Sequence, residues 1–404
     1  MRDSSIAAHP VTVFVGTWAF VFLLYSLGLS EQLIYSVSDF SYVFLAITGP
    51  FLLGYWYVQR MLTLASRANP TRTSAPAESA LEPAQIKLMW RRTLGLLTIW
   101  GLMSVVEIVF SGGLPIVWLV TGSSKSYRDF GIPSLHGLLM SVLMACATVS
   151  FLIYLETKQR RYLTIPFLGV AWFILSITRA FMMGLILQLL FLGLARKPLT
   201  GIQITKIFVG FICLVIVFGY IGDLRNGEGL IRAIGRPTDR FPDWLPTGFL
   251  WAYIYLATPL NNLFNTIELN PWTDHFTLAA TTSQLFPTFI RGLIFPETLV
   301  TQGNLVDENL NISTSFAPPF LDMGLIGIVL YGLLFGSAAG VFWFFRRQRY
   351  FLLAYAFVAQ ALALSIFFSF LLALPFLFQL VWFRYLLGRA PPAMPAVVRT
   401  SVPG

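Results

Sequence analysis

Apolar residues in this chain fall in runs too long for the core of a soluble domain, and polar stretches punctuate them. Val11–Leu29, Phe40–Val58, Thr93–Phe110, Leu135–Leu155, Ile207–Ile221 and Phe320–Phe345 each approach or reach the length at which a helix crosses hydrocarbon. Two other runs are too long for one crossing. As a single helix, Tyr162–Leu194 would extend about 50 Å and put its basic flanks, Arg160–Arg161 and Arg196–Lys197, on opposite faces of a membrane. It is predicted instead as two short helices with Thr178–Arg179 at their tip. Phe351–Leu387 is read the same way, with its tip near Ser365–Ser369. Ten crossings result, with both termini on one side.

The polar stretches assign the sides. Residues 59–92 carry Arg60, Arg67, Arg72, Lys87, Arg91 and Arg92, and the middle of this stretch is rich in Pro, Ser, Thr and Ala. This reads as a cytoplasmic loop, because cytoplasmic loops concentrate Lys and Arg. On this topology only Lys125, Arg128, Arg179, Arg225, Arg232, Arg236, Arg240 and Arg291, of 27 Lys and Arg residues, face outward. Residues 222–319 form one large external loop. Within it, Gly248–Leu269 and Phe276–Phe295 are apolar and either add a pair of crossings, making twelve, or pack at the interface. Interfacial packing is favoured, because Pro259, Pro287 and Asn261–Asn262 leave polar groups that lipid cannot satisfy.

Composition agrees with this reading. The 404 residues are 56% hydrophobic and 11% charged, with a mean hydropathy of +0.73, so the net charge of +9 reports membrane topology rather than nucleic-acid binding. The chain reads as one polytopic domain, residues 1–404, and Val11–Leu29 as a permanent first helix rather than a cleaved signal. Cys146 and Cys213 lie in apolar runs and suggest neither disulfide nor metal. No phosphate-binding glycine loop, His-Glu-x-x-His pattern or Asp-x-Asp pair occurs, so the expected cofactor set is empty and chemistry is expected outside or within the membrane.

Candidate chemistry lies in the outward segments. Arg225, Arg232, Arg236 and Arg240 interleave with Asp223, Glu228, Asp239 and Asp243. That arrangement serves anion binding, since a guanidinium grips phosphate with paired hydrogen bonds, or else a self-neutralised solvated loop. His136 begins a membrane helix close to Arg128, at the depth expected for Arg179, with Glu107 near the outer end of its own helix. Ionisable groups there are costly and so are candidates for function, although a lone histidine is often structural. Trp244, Trp251, Tyr253, Tyr255 and Trp272 form either an interfacial belt or a surface for stacking on sugar rings.

Several patches carry a resemblance. Gly112-Gly113-Leu-Pro, Tyr127-Arg-Asp-Phe-Gly-Ile-Pro-Ser-Leu-His136-Gly, Thr178-Arg179, Thr258-Pro-Leu-Asn261-Asn, and Asn311-Ile-Ser-Thr with Asp322-Met-Gly resemble the spaced signature of bacterial Wzy-type O-antigen polymerases. The resemblance implies an all-α, GT-C-like protein of the bacterial inner membrane, with about 10 to 12 transmembrane helices and a large periplasmic loop over the active site. It implies a metal-independent glycosyltransferase that polymerises polyprenyl-pyrophosphate-linked oligosaccharides. The related O-antigen ligases and transporters of lipid-linked oligosaccharide are the alternatives. Membrane lipids, a chain-length regulator and a flippase of the same pathway are the expected partners. His136, Arg179 and Asp322 become the expected catalytic residues, with His136 at the reacting hydroxyl either as general base or as a positioning hydrogen-bond partner. Arg128 becomes an expected pyrophosphate or sugar contact on the same ground, and Arg225, Arg232, Arg236, Arg240, Arg291, Tyr127 and Asn261 join it as candidates from their place in the outward segments rather than from the resemblance.

The topology is testable with single cysteines on a background lacking Cys146 and Cys213. A membrane-impermeant maleimide applied to whole cells should label a cysteine at Asp239 and spare one at Ser74. The reverse pattern would invert the whole assignment of sides.

Overall fold

The computed structural model describes residues 6–68, 81–197, scattered positions from 200 to 216, 228–270, 276–296 and 303–388. The expected Ile207–Ile221 crossing falls largely outside them, and Arg225 and Trp272 do so entirely. Among the described residues the chain is helical without a β-strand; one isolated bridge pairs Ser30 with Pro237. Six helical stretches among the described residues are long and apolar enough to cross a membrane, which makes this a multi-pass helical membrane protein.

In order, α1 is Pro10–Ser26, α2 Ser41–Ala68, α3 Pro83–Ser111, α4 Pro115–Thr121, α5 Leu135–Thr157, α6 Thr164–Leu175 and α7 Arg179–Arg196. After these come α8 Glu228–Gly235, α9 Thr247–Leu269, α10 Ala279–Thr282, α11 Thr288–Ile294, α12 Ala317–Phe344, α13 Arg349–Ala363, α14 Leu374–Leu377 and α15 Gln379–Leu387. The loop expected over 59–92 is much shorter. Arg60 and Arg67 continue α2, while Lys87, Arg91 and Arg92 belong to the first turns of α3, where Pro83 presets the helical φ. Long basic side chains are good helix formers, so a positive flank does not by itself end a helix.

Both overlong runs fold back. Gly169 on α6 and Leu185 on α7 lie eight residues either side of Ile177 and touch: a Cβ on the glycine would sit 2.8 Å from Leu185 Cδ2. Arg196 at the far end of α7 pairs with Glu156 at the end of α5, so the basic flanks share one face. The second run turns through residues 364–373 and returns α15 beside α3, where the Arg92 guanidinium donates to the Tyr385 carbonyl (2.6 Å). The bundle therefore has a basic end, collecting Arg92, Arg196, Arg349 and Arg384, and an opposite end built from loops.

Two devices hold it together. α2 and α12 form the closest helix pair, with small residues against backbone: a Cβ on Gly54 would reach the Leu333 carbonyl at 2.5 Å, and one on Gly336 would overlap that of Phe51. Small residues serve this purpose in membranes, where packing replaces the hydrophobic drive between helices. The second device is α9, a 23-residue helix expected to lie at the interface but largely enclosed by protein. Its asparagines tie down two loops. Asn261 Nδ2 donates to the Gln32 carbonyl (2.8 Å), and its Oδ1 accepts from the Tyr25 hydroxyl (2.6 Å) and Ile34 N–H (3.2 Å). Asn262 Nδ2 donates to the carbonyls of Leu310 (2.9 Å) and Ile312 (2.8 Å), and its Oδ1 accepts from Val306 N–H (3.0 Å). Asn265 and Thr266 extend the ladder to Asn304. The apolar stretch Phe276–Phe295 is not a crossing: it breaks into α10, a 3-10 turn and α11 at Pro287.

Asn262→Ala removes the partner of three loop backbone groups, of which the buried Leu310 carbonyl would cost about 1–3 kcal/mol if left unpaired. Faster hydrogen exchange across residues 303–313 is therefore expected, together with a lower unfolding midpoint in detergent. Gly95→Ala, with nothing within 4 Å of an added Cβ, should alter neither.

Candidate functional site

The His136 segment is built from its loop inward. Ser126 caps a 3-10 turn at Tyr127–Asp129: its Oγ accepts from Arg128 N–H (3.3 Å), and Asp129 Oδ2 accepts from Ser126 N–H (2.8 Å). Phe130 then turns inward, edge-on to the His136 ring at 5.4 Å. Gly131 follows with φ +93°, and a Cβ there would come within 2.7 Å of the imidazole, so only glycine fits. Its N–H donates to Ser111 Oγ (2.8 Å), and Lys125 Nζ donates to the Ser111 carbonyl (2.8 Å). Fully buried Glu107 completes the arrangement, with Oε1 accepting from Ile132 N–H (3.1 Å) and Oε2 lying 3.1 Å from His136 Nδ1. A carboxylate at Nδ1 favours the tautomer protonated there and leaves Nε2 as the acceptor.

At the same end lies a cavity of about 500 Å³. Four separate stretches line it: Tyr127 from the 3-10 turn, Ile177–Phe181 at the α6–α7 break, one face of α9, and residues 309–312. On α9 the lining positions are 251, 255, 258 and 259, the spacing that repeats on one side of a helix. Trp251 and Tyr255 stand in tilted contact there, with ring centroids 6.3 Å apart. Arg179 is the first residue of α7, exposed, and forms no ion pair among the described residues. A cation at a helix N-terminus opposes the dipole, so guanidinium and N-terminus together concentrate positive potential at one wall. The turn before it is strained: Ile177, a β-branched residue, holds φ +55°. On the opposite wall Asn309 N–H and Nδ2 donate to Asp307 Oδ1 (2.8 and 3.0 Å). The Asn309 backbone bond chiefly holds the Asp307 carboxyl below its usual range. Its contribution is therefore complete above the ordinary carboxylate range and lost as pH falls through the lowered value.

The chain matches no protein-family model, no curated protein and no solved structure.

Of the expected site residues, Tyr127 and Arg179 line the cavity; the rest of the described ones do not. His136 is held by Glu107 and only partly exposed. Asp322 is 2% exposed and serves another helix: it accepts from Thr277 Oγ1 (2.7 Å), Ala280 N–H (3.0 Å) and Thr281 N–H (2.8 Å), capping α10 from a distance. It ends a short first segment that begins at Ala317 and stands immediately before the break at Met323–Gly324, after which the long part of α12 restarts. The expected meeting of His136, Arg179 and Asp322 in one cavity is thus replaced by Arg179 and Tyr127 among aromatic and amide residues. Asn261 is buried in the loop ladder described above. Arg232 pairs with Asp243 (3.2 Å), as the self-neutralised reading expects. The Arg236 carbonyl accepts from Glu31 N–H (2.8 Å), Arg240 lies against Gly28, and Arg128 lies 5.9 Å over the Tyr127 ring. Arg291 sits on α11, away from the cavity wall. Asn309, Ile177 and Phe181 were not foreseen as lining residues; the strained turn at 177, invisible in sequence, marks only the last two. Among the described residues no group of three or more His, Cys, Asp or Glu is placed to hold a metal.

Proposed function

We propose that this protein is a glycosyltransferase of the Wzy type, joining polyprenyl-pyrophosphate-linked oligosaccharides at the outer face of the bacterial inner membrane. The observation that carries the reading is the cavity. Residues from four of the patches in the resemblance, namely Tyr127, Thr178–Arg179, Thr258–Pro259 and Asn311–Ile312, line a single cavity despite their separation in sequence. The cavity's chemistry suits the substrate. Indole and phenol faces at Trp251 and Tyr255 offer stacking surfaces for sugar rings, and amides at Asn309 and Asn311 offer both donors and acceptors for hydroxyls. Arg179, with no carboxylate partner among the described residues, supplies the counter-charge for a pyrophosphate.

In this reading the anomeric carbon of one lipid-linked chain is attacked by a hydroxyl of the next unit. The bond to the pyrophosphate oxygen breaks, the pyrophosphate leaves with the electron pair, and the hydroxyl proton passes to solvent or a base. Arg179 stabilises the charge that develops on the leaving group, in a position fixed before the reaction begins. Glu107 and His136 hold the turn that carries Tyr127 to the cavity wall. The basic end of the bundle faces the cytoplasm, as the positive-inside bias requires.

The test is direct. Purified protein should lengthen a lipid-linked oligosaccharide without ATP or sugar nucleotide. Arg179→Lys keeps the charge but loses the planar two-pronged grip, so a loss of activity of about 10²-fold or more is expected, on the scale of removing one prearranged charge-stabilising donor, at unchanged protein level. Wild-type activity in the lysine variant would remove Arg179 from the reaction.

A further inference from the structure

A second groove, larger and more open, lies at the basic end between α3, α13 and α15, with a volume of about 860 Å³. Its wall is apolar at Leu88 and Val381, and its polar groups are Arg92, Arg384 and the phenols of Tyr350 and Tyr385. No Asp or Glu lines it, and neither arginine pairs with a carboxylate among the described residues. Two guanidinium groups sharing one groove repel each other unless something supplies negative charge. Arg92 is fixed there by construction. Its Nη1 donates to the Tyr385 carbonyl (2.6 Å) in the last turn of α15, and its guanidinium lies 5.3 Å over the Tyr385 ring. Gly388, at φ +76°, clears the space: a Cβ there would stand 2.6 Å from Arg92 Nη1. One N–H of the fork is thereby engaged, and four others are available to oxygen ligands.

We propose that this groove binds the phosphate-bearing headgroup of an anionic membrane lipid, with Arg92 and Arg384 on the phosphate and the apolar wall against the upper acyl chain. Charge complementarity and the apolar wall together select this occupant. Inorganic phosphate shares the first feature and has no use for the second. Basic pockets between helices at the cytoplasmic side are suited to such headgroups, and the site lies at the opposite end of the bundle from the aromatic cavity. The proposal is independent of the activity argued above.

Native mass spectrometry of the full chain in detergent tests it, with phosphatidylglycerol, phosphatidylcholine and inorganic phosphate as probes. Wild type should retain phosphatidylglycerol over phosphatidylcholine, and millimolar phosphate should not displace it. Arg92→Gln with Arg384→Gln should reduce retention by about tenfold or more, a shift of about 1.4 kcal/mol. Gly388→Ala, which pushes Arg92 aside, should reduce it in the same direction while both arginines remain. Should the double variant fail to fold, Gly388→Ala and Arg384→Gln, each checked by its unfolding midpoint, decide the matter. Undiminished retention in the folded variants, equal retention of the two lipids, or full displacement by phosphate overturns the assignment.

Discussion

The loop-rich half of this protein depends on a ladder of buried amides along α9. Asn261, Asn262, Asn265 and Thr266 present donors and acceptors to loop backbone near residues 32–34 and 304–312, including the buried carbonyls of Gln32 and Leu310 that would otherwise be unpaired. An unpaired polar group costs several kcal/mol where water is excluded, so non-helical chain can be enclosed at this end only where such partners exist. The ladder allows the bundle to carry a structured, loop-rich end. It also explains why α9, with Pro259 and three asparagines, is surrounded by protein instead of lipid.

The cavity follows from that constraint. Once Asn262 fixes the carbonyls of Leu310 and Ile312, the 309–312 stretch stands opposite the tip of the α6–α7 hairpin. The aromatic face of α9 closes one wall, and the capped turn at Tyr127 closes another. Rigid elements thus position Arg179, which has no ion pair among the described residues, against aromatic and amide groups, the arrangement required where binding must be both specific and prepared in advance. The Glu107–His136 contact belongs to the same scheme as a fastening: the carboxylate holds both the ring and the Ile132 backbone.

Much of this was legible in the sequence. Apolar runs flanked by Arg160–Arg161 and Arg196–Lys197 required a fold-back, and the Arg196–Glu156 pair shows those flanks sharing one face, with Arg179 at the tip. Asn261–Asn262 argued against lipid exposure, which the loops around them provide for. Side-chain partners were not legible. Asp322 looked like a site carboxylate because it belongs to one of the patches that carry the resemblance, but its partners lie some forty residues earlier in a helix of one turn. Spacing along the chain reports which face of a helix a residue occupies, not what meets that face. His136 and Arg179 were expected together for a similar reason: equal depth in a membrane does not specify position around the bundle.

The central claim is that one cavity, bounded by Tyr127, Arg179, Trp251–Pro259 and Asn309–Ile312, receives the sugar next to a lipid pyrophosphate. The most direct measurement is photo-crosslinking with a polyprenyl-pyrophosphate-linked sugar carrying a diazirine on the ring nearest the pyrophosphate, mapped by mass spectrometry of the full chain. Adducts should concentrate in peptides containing residues 177–181, 251–259 and 309–312, and unlabelled lipid-linked oligosaccharide should compete them away. Adducts confined to the basic end, or distributed without competition, would contradict the account.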